Sequence, residues 1–360
     1  MPVHIVKAAY AFKMNGEPVS CENFGHGHIN STFKVATDIG AEYILQRINK
    51  YVFKDPVRLM GNISAVTEYL REQVSDSRMA LRFVPTQEGK YCYMDEDGEF
   101  WRMHEFVGGF CLDTPESKED FYQSALAFGR FQSLLAGFPA DTLFETIPEF
   151  HNTINRYRLF KETLAKDPVG RLAGVKAEVD FLLEREELAG TLQRMRESGE
   201  LPLRVTHNDT KLNNVLLDQE TRKSLCVLDL DTVMPGLSLY DYGDSIRFGA
   251  ATAAEDEKDL SKMTMDLEMF AAYTRGYMEA CPTLTDKEVE MMPMGALLMT
   301  LECGLRFLTD YIDGDHYFRI AYPEHNLDRA RTQLKLVADM QNKWEVMNRI
   351  VAETASQVRG

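Results

Sequence analysis

Three polar residues at fixed spacing have the side chains that phosphoryl transfer requires. Asp209 and Asn214 lie five residues apart in the segment His207–Asn214, and Asp229 follows fifteen residues later. A carboxylate such as Asp209 can orient an attacking hydroxyl group and accept its proton. Carboxylate and amide oxygens such as those of Asn214 and Asp229 suit a magnesium ion that neutralises nucleotide phosphates.

The residues between Asn214 and Asp229 predict a β-hairpin. Two short apolar runs, Val215–Leu217 and Leu225–Leu228, flank the polar stretch Asp218–Lys223. Such a pattern is typical of two strands joined by a turn. The hairpin would return Asp229 to the neighbourhood of Asn214, so the three polar residues are expected to converge.

Two neighbours of this motif have open or supporting roles. Asp231 is either a second metal contact or the cap of a turn. His207 is expected to hold the loop by hydrogen bonds rather than to move protons. The competing interpretation is a chance hairpin whose acids are solvated turn residues, because Asp and Asn are common in loops.

The first third of the chain reads as a sheet interrupted by one helix. Strand-like runs cover residues 19–24, 32–35, 43–46, 81–85, 90–93 and 100–106, and a helical pattern covers 56–73. The pair Gly108-Gly109 ends this part. The later segments 117–138, 152–166, 173–196, 256–280, 287–310 and 325–351 have the apolar spacing of helices.

The order of elements predicts an α+β fold of two lobes. Residues 1–107 would form a small antiparallel-sheet lobe that binds nucleotide, and residues 108–360 a large, mostly helical catalytic and substrate-binding lobe.

A glycine-rich turn between the first two strands is the expected phosphate-binding segment. In Gly25–Thr32, glycine backbone can approach phosphate closely, and Asn30 and Thr32 add polar groups. Gln46 occupies the third-strand position where kinases of this architecture carry a lysine. Gln46 could bind phosphate itself, Arg47 or another cation could replace the lysine, or nucleotide binding could have decayed. The backbone of Glu105–Val107 is expected to meet adenine.

Bulk composition excludes several classes of partner. With 40 basic and 56 acidic residues, the formal net charge of −16 repels nucleic acid and anionic membrane surfaces. No apolar run reaches the length of a membrane span, and the N-terminal residues 2–10 lack an apolar core of signal-peptide length. The six cysteines include no C-x-x-C pair, so neither a zinc site nor a disulfide framework is expected. We expect a cytoplasmic protein. The sequence leaves its oligomeric state open, and a monomer is slightly favoured.

Several sequence blocks resemble the aminoglycoside phosphotransferase and choline kinase superfamily, and within it the bacterial N-acetylhexosamine 1-kinases. The likeness runs nearly end to end. Its blocks are residues 27–33, 43–46, 204–214, 228–236, 241–250 and 322–327. The resemblance implies a bilobal, protein-kinase-like fold. It also implies transfer of the γ-phosphoryl group of ATP, with Mg²⁺, to the anomeric hydroxyl of N-acetylglucosamine or N-acetylgalactosamine.

The resemblance also suggests roles for individual residues. Asp209 would be the base, and Asn214 and Asp229 the magnesium ligands. Asp241 would be a structural anchor beneath the catalytic loop, residues 207–214. The candidates for sugar contact, besides Asp209 itself, are His28, Phe248, Arg306 and Tyr317. Each has a plainer alternative in packing; for Arg306 this is an ion pair with Asp310, one helical turn on.

Two other functions stay open at this level. Three acids, Asp310, Asp313 and Asp315, surround Tyr311 and Tyr317 and could hold a cationic acceptor such as choline or an aminoglycoside. A positively charged Arg306 in the pocket would repel such an acceptor. The other alternative is a catalytically inactive, nucleotide-binding scaffold.

Overall fold

A computed structural model describes residues 3–25 and 29–360, without the side chains of Val3 and His4. The chain divides into two compact units. The first comprises residues 1–111, 134–148 and 215–235. The second comprises residues 112–133, 149–214 and 236–360.

An antiparallel sheet is the centre of the first unit. In chain order this part contains α1 (Val3–Tyr10), β1 (Pro18–Asn23), β2 (Ser31–Thr37), β3 (Glu42–Ile48), α2 (Pro56–Gln73), β4 (Tyr93–Met94) and β5 (Phe100–Glu105). Within the described residues the sheet has five strands in the order β1-β2-β3-β5-β4. The predicted small-sheet lobe is therefore confirmed, and the expected helix at 56–73 matches α2.

The two faces of this sheet differ in chemistry because side chains alternate along a strand. One face packs against α1, with Leu45, Trp101 and Met103 in a common core with Phe12. The residues between them face the other side. Gln46 of β3 pairs in register with Thr32 of β2 and with Arg102 of β5, which places three polar side chains on one face.

The expected strand at 81–85 is wrong. The segment is extended beside β5, but its only β-bridge in the described structure joins Phe83 to His104. Pro85 has no backbone N–H to donate, which limits a ladder there. The buried side chains of Leu81, Phe83 and Val84 produced the strand-like pattern. The run at 90–93 is likewise reduced to β4, which begins at Tyr93.

The predicted hairpin is confirmed. Strand β7 (Val215–Leu217) pairs with β8 (Ser224–Val227), and Val215 lies opposite Val227. The chain therefore leaves the same end of the hairpin toward Asn214 on one side and Asp229 on the other. Phe110 extends the ladder, since it exchanges backbone hydrogen bonds of 3.0 and 2.8 Å with Leu217. Gly109 is required by this approach, because a Cβ there would lie 2.5 Å from the Leu217 carbonyl oxygen.

Helices dominate the rest of the chain. The further elements, in chain order, are α3 (Lys118–Leu134), α4 (Thr153–Lys166), α5 (Lys176–Leu183), α6 (Thr191–Glu197), β6 (Arg204–Thr206), β9 (Met234–Gly236), α7 (Ser238–Gly249), α8 (Leu267–Ala280), α9 (Asp286–Glu290), α10 (Met292–Asp313), α11 (His325–Asn342) and α12 (Trp344–Arg359). Helix α10 packs against α4, α7 and α11. A Cβ on Gly243 of α7 would lie 2.3 Å from the Gly295 carbonyl oxygen, so these two helices approach at backbone distance.

The predicted helical lobe is confirmed, although several expected helices are shorter or interrupted; the segment 325–351, for example, is divided between α11 and α12. The segment 173–196 is split into α5 and α6, and Gly190 is the cap residue directly before α6. Helix α8 starts only after Asp266, whose carboxylate caps its first turn. Pro293 lies in the first turn of α10, which is a separate helix from α9. Among the described residues, no helix has both the length and the apolar character required to cross a bilayer.

Candidate active site

The carboxylate of Asp209 is held on both oxygens yet stays open to solvent. It lies in the loop after β6. The Asn214 side-chain amide donates to its Oδ2 at 3.1 Å and to its backbone carbonyl at 2.8 Å. The Lys211 ammonium lies 3.1 Å from its Oδ1, and the Asp209 side chain is 29% exposed. An oriented, accessible carboxylate can receive a proton from a bound hydroxyl group.

Lys211 is a charged group that the sequence reasoning did not assign. The negative charge of Asp209 raises the pKa of Lys211 above its ordinary value. The lysine therefore remains protonated beside the carboxylate at neutral pH. The signal was present in the sequence, since Lys211 follows Asp209 by two residues within the motif.

The carboxylate of Asp241, on α7, anchors the start of the catalytic loop. Its Oδ2 accepts hydrogen bonds from the backbone of His207 (2.9 Å) and from the Gln132 side chain (2.7 Å), and its Oδ1 from the backbone of Asn208 (2.7 Å). Burial raises the pKa of the Asp241 carboxyl, and its electrostatic interaction with His207 and the hydrogen bonds from these donors oppose that shift. Asn208 has φ +66°, a conformation that Asn tolerates better than most residues.

His207 packs inside the unit rather than facing solvent. Its ring lies edge-on to Phe128 and Phe131, with centroids 5.4 and 5.9 Å away. Its Nδ1 accepts the backbone N–H of Asp209 at 3.3 Å. A buried ring that accepts a loop N–H fits the supporting role expected from the sequence.

Removal of the Asp241 charge should destabilise the protein. In Asp241→Asn the amide nitrogen cannot accept a hydrogen bond, so buried donors lose their partner. Each such donor costs about 1–3 kcal/mol, and we expect the free energy of unfolding to fall by about 2 kcal/mol or more. Urea denaturation followed by circular dichroism measures this. Asp97→Asn, in an exposed turn, is the control, and an unchanged midpoint for Asp241→Asn would contradict the anchor role.

A second acid on α7 holds the middle of the loop. Asp244 accepts the backbone N–H of Thr210 at 3.0 Å, and the Arg247 guanidinium donates to its other oxygen at 3.1 and 2.9 Å. Burial alone would raise the pKa of Asp244, but the charges of Arg247 and Lys211 lower it. Asp244 therefore stays ionised. An acid three residues after Asp241 on one helix was the sequence signal for this contact.

The residues expected to hold magnesium have hard oxygen donors. Asn214 uses its nitrogen for Asp209, so its Oδ1 accepts no hydrogen bond from the residues that the structure describes. Asp229, with φ +52°, directly precedes the short 3-10 helix Leu230–Thr232. Within residues 3–25 and 29–360 no group of three His, Cys, Asp or Glu side chains is gathered as a metal site. The donor chemistry of Asn214 and Asp229 fits Mg²⁺.

Asp231 has strong protein partners. It is 3% exposed and forms an ion pair with Arg102 of β5. The Asn30 side chain donates to its Oδ2 at 2.6 Å.

The three polar residues predicted to bind nucleotide belong to one chain of hydrogen bonds. Gln46 donates to the Thr32 hydroxyl at 3.1 Å and accepts from Nε of Arg102 at 2.8 Å. Arg102 then contacts Asp231, to which Asn30 also donates. Asn30, Thr32 and Gln46 are thus brought together, with a buried cation among them.

The segment expected to meet adenine is partly engaged within the protein. The backbone N–H of Glu105 donates to Arg82 and its carboxylate lies 3.2 Å from the Arg82 guanidinium. Burial lowers the pKa of His104 to about 4, so its neutral ring bonds the Glu105 carbonyl at 2.9 Å. Val107 has no backbone hydrogen bond within the described ranges.

The predicted sugar-contacting residues fall into separate groups. His28 lies outside the described residues. Phe248 lines a cavity of about 530 Å³ together with Arg247 and residues 114–118. Tyr317 is 61% exposed and its hydroxyl accepts from Nη2 of Arg306 at 3.4 Å. Neither Arg306 nor Tyr317 lines the cavity with Phe248.

Arg306 lies among aromatic rings. Its guanidinium is 5.1 Å from the Phe150 ring centroid and 5.5 Å from that of Phe318. The alternative of an ion pair with Asp310 is wrong. The Asp310 carboxylate instead accepts the backbone N–H groups of residues 316–318, at 2.7–2.9 Å.

A family model described as "Phosphotransferase enzyme family" matches residues 20–277 of the chain. The chain belongs to this family. The match includes the catalytic loop, the hairpin and α7. The family match establishes that this chain is a phosphotransferase of a family that uses a nucleotide as co-substrate.

Solved structures of other phosphotransferases have the same fold. A microcompartment-associated aminopropanol kinase is 17% identical, with a TM-score of 0.62 over 96% of this chain and 98% of its own. An amicoumacin kinase in complex with AMP-PNP and Ca²⁺ is 14% identical, with a TM-score of 0.62 and coverages of 95% and 93%. The choline kinase of Cryptosporidium parvum is 14% identical, with a TM-score of 0.56 and coverages of 99% and 99%.

Proposed function

We propose that this phosphotransferase moves the γ-phosphoryl group of ATP to the anomeric hydroxyl of an N-acetylhexosamine. The observation that carries the kinase part is the environment of Asp209. Its partly exposed carboxylate is oriented by Asn214 and Lys211, in a loop whose backbone N–H groups are held by Asp241 and Asp244. Such pre-organisation favours proton acceptance at one oxygen position.

In the proposed reaction the sugar O1 forms a bond to the γ-phosphorus as its proton passes to Asp209. The bond from the γ-phosphorus to the β,γ-bridging oxygen breaks, and ADP leaves. Magnesium, when bound, neutralises charge on the phosphate oxygens. Asn214 and Asp229 are the residues proposed to hold it. Asn214 would therefore have two tasks, since its nitrogen orients Asp209 and its oxygen would be available to hold the metal.

A neutral acceptor is favoured because the acids that could hold a cation already have partners. Asp310 bonds three backbone N–H groups. Asp315 pairs with Arg171 at 2.5 Å and accepts from Asn326 at 2.8 Å. Arg306 adds a positive charge beside Tyr317. A hydroxyl or acetamido oxygen would gain a donor there, whereas an ammonium group would be repelled.

An amine or amino-alcohol acceptor is the second candidate. It is supported by the aminopropanol and choline kinases among the similar folds, together with the still exposed Asp313. At this level of identity those structures indicate the fold and leave the acceptor open.

An acceptor panel distinguishes the two candidates. We expect ADP release with ATP and Mg²⁺ in the presence of N-acetylglucosamine or N-acetylgalactosamine, with a sugar phosphate that loses reducing-end reactivity because O1 is blocked. Aminopropanol, choline and kanamycin should give no release above the rate without acceptor. Turnover with an amine but not with either sugar would contradict the proposal and support the second candidate.

Substitution of Arg306 should weaken acceptor binding alone. Loss of a charged hydrogen-bond donor is worth about 1.5–3 kcal/mol, so Arg306→Gln should raise the acceptor KM at least about tenfold. The KM for ATP should not change. Arg349→Gln, an exposed site on α12, is the matched control. An unchanged acceptor KM would show that Arg306 does not contact the acceptor.

A further inference from the structure

The position that would carry a β3 lysine is paired with a cation on the next strand. Gln46 lies directly opposite Arg102 in the β3–β5 register. Opposed residues in an antiparallel pair have Cα atoms about 4.5–5.5 Å apart. Nε of Arg102 donates to Oε1 of Gln46 at 2.8 Å, so the charge lies beside the Gln46 side chain.

Arg47 does not fill this position. As the neighbour of Gln46 along the strand it projects to the opposite face. Its Nη2 donates to the Ser31 hydroxyl at 3.2 Å.

The Arg102 guanidinium is held in place on two sides. Its Nη1 pairs with Asp231, Nε bonds Gln46, and the residue is 2% exposed. A buried guanidinium without a partner is strongly destabilising, so Asp231 is its required counter-ion. Asp231 is fixed in turn by Asn30, whose Oδ1 accepts the backbone N–H of Asn49 at 3.0 Å.

The Nη2 edge of the Arg102 guanidinium is available to another partner. Within the described residues, Nη2 of Arg102 makes no hydrogen bond. The planar fork of arginine can bind a carboxylate through one nitrogen and an anionic oxygen through another, which a lysine cannot do with the same geometry. The surrounding side chains Asn30, Thr32 and Gln46 are those expected at nucleotide phosphates.

We propose that Arg102, with Asp231 as its fixed counter-ion, is the cation that binds the nucleotide phosphates in place of a lysine on β3. The inference rests on the kinase part of the proposed function and is independent of the acceptor. Asp231 then acts as a positioning residue, because its carboxylate aims the guanidinium.

Three variants test this by nucleotide binding rather than by turnover. Arg102→Gln removes the cation. Arg102→Gln with Asp231→Asn removes both charges and leaves no unpaired carboxylate, so it retains a neutral interior. Gln46→Lys with Arg102→Gln returns the cation to β3 across the register pair. Calorimetry measures the Kd of ATP and of AMP, which lacks the β and γ phosphates, with Mg²⁺ and with EDTA.

We expect the doubly neutral variant to bind ATP at least about tenfold more weakly, with AMP affinity changed less than about twofold. The loss should persist in EDTA, which separates it from any effect of Asp231 on the metal. The variant with lysine at position 46 should recover most of the ATP affinity. AMP binding and an unchanged circular dichroism spectrum show that each variant is folded.

If the doubly neutral variant binds ATP as tightly as the wild-type protein does, Arg102 and Asp231 form only a structural ion pair, and the inference is overturned. A loss confined to Mg²⁺ would overturn it as well, since the effect would then belong to the metal. Wild-type protein that binds ATP but phosphorylates no N-acetylhexosamine would remove the acceptor assignment and leave this inference intact.

Discussion

Asp209→Asn should lower kcat by about 10²–10⁴-fold, the range for loss of a general base. The amide can still occupy the position between Asn214 and Lys211, but it cannot take the proton of the attacking hydroxyl. Because the substitution leaves the sheet-containing unit unchanged, ATP affinity should stay close to the wild-type value. Steady-state kinetics with N-acetylglucosamine and calorimetry with ATP measure the two quantities.

Asp180→Asn, an exposed acid on α5, is the matched control and should retain full activity. Near-normal turnover of Asp209→Asn would remove this residue from the base role. If the wild-type protein binds ATP and yields no product with any acceptor, the alternative of an inactive scaffold is supported.

Asp229→Ala should cause a larger loss, because magnesium supplies several kcal/mol of charge stabilisation to the transferring group. We expect kcat/KM to fall about a thousandfold or more. The affinity for ATP should also lose its dependence on Mg²⁺, which calorimetry with and without EDTA detects. This readout separates a metal ligand from a residue that acts only in the chemical step.

Glu220→Ala, exposed in the turn of the β7–β8 hairpin, controls for disturbance of that hairpin. Retention of a normal Mg²⁺ dependence in Asp229→Ala would show that the metal is held by other residues.

The parts of the fold with strong local signals could be predicted from sequence. The β7–β8 hairpin has two apolar runs with a polar turn between them, and α2 has Pro56 in its first turn and Asp55 as its cap. Strand-like apolarity failed at residues 81–85, because burial alone does not create a ladder. The single helix expected over 173–196 failed because Gly190 and the short 3-10 segment before it interrupt the hydrogen bonds.

In the candidate site, too, the residues with a local sequence signal could be predicted and those joined by tertiary contacts could not. Asp209, Asn214 and Asp229 have fixed spacing in one motif, so the sequence alone predicts them as candidates. Arg102 follows Gln46 by 56 residues, and only the strand register makes them neighbours. Asp231 and Arg102 are 129 residues apart, and no local pattern links them. Contacts of this kind depend on tertiary pairing that periodicity does not encode.

A crystal structure with AMP-PNP, Mg²⁺ and N-acetylglucosamine is the most direct test of the proposed centre. We predict Asp209 about 2.6–3.2 Å from the anomeric oxygen. We also predict Asn214 Oδ1 and an Asp229 oxygen about 2.0–2.1 Å from one magnesium ion. A metal bound to other residues, or a sugar whose anomeric oxygen lies out of reach of Asp209, would contradict the proposed reaction.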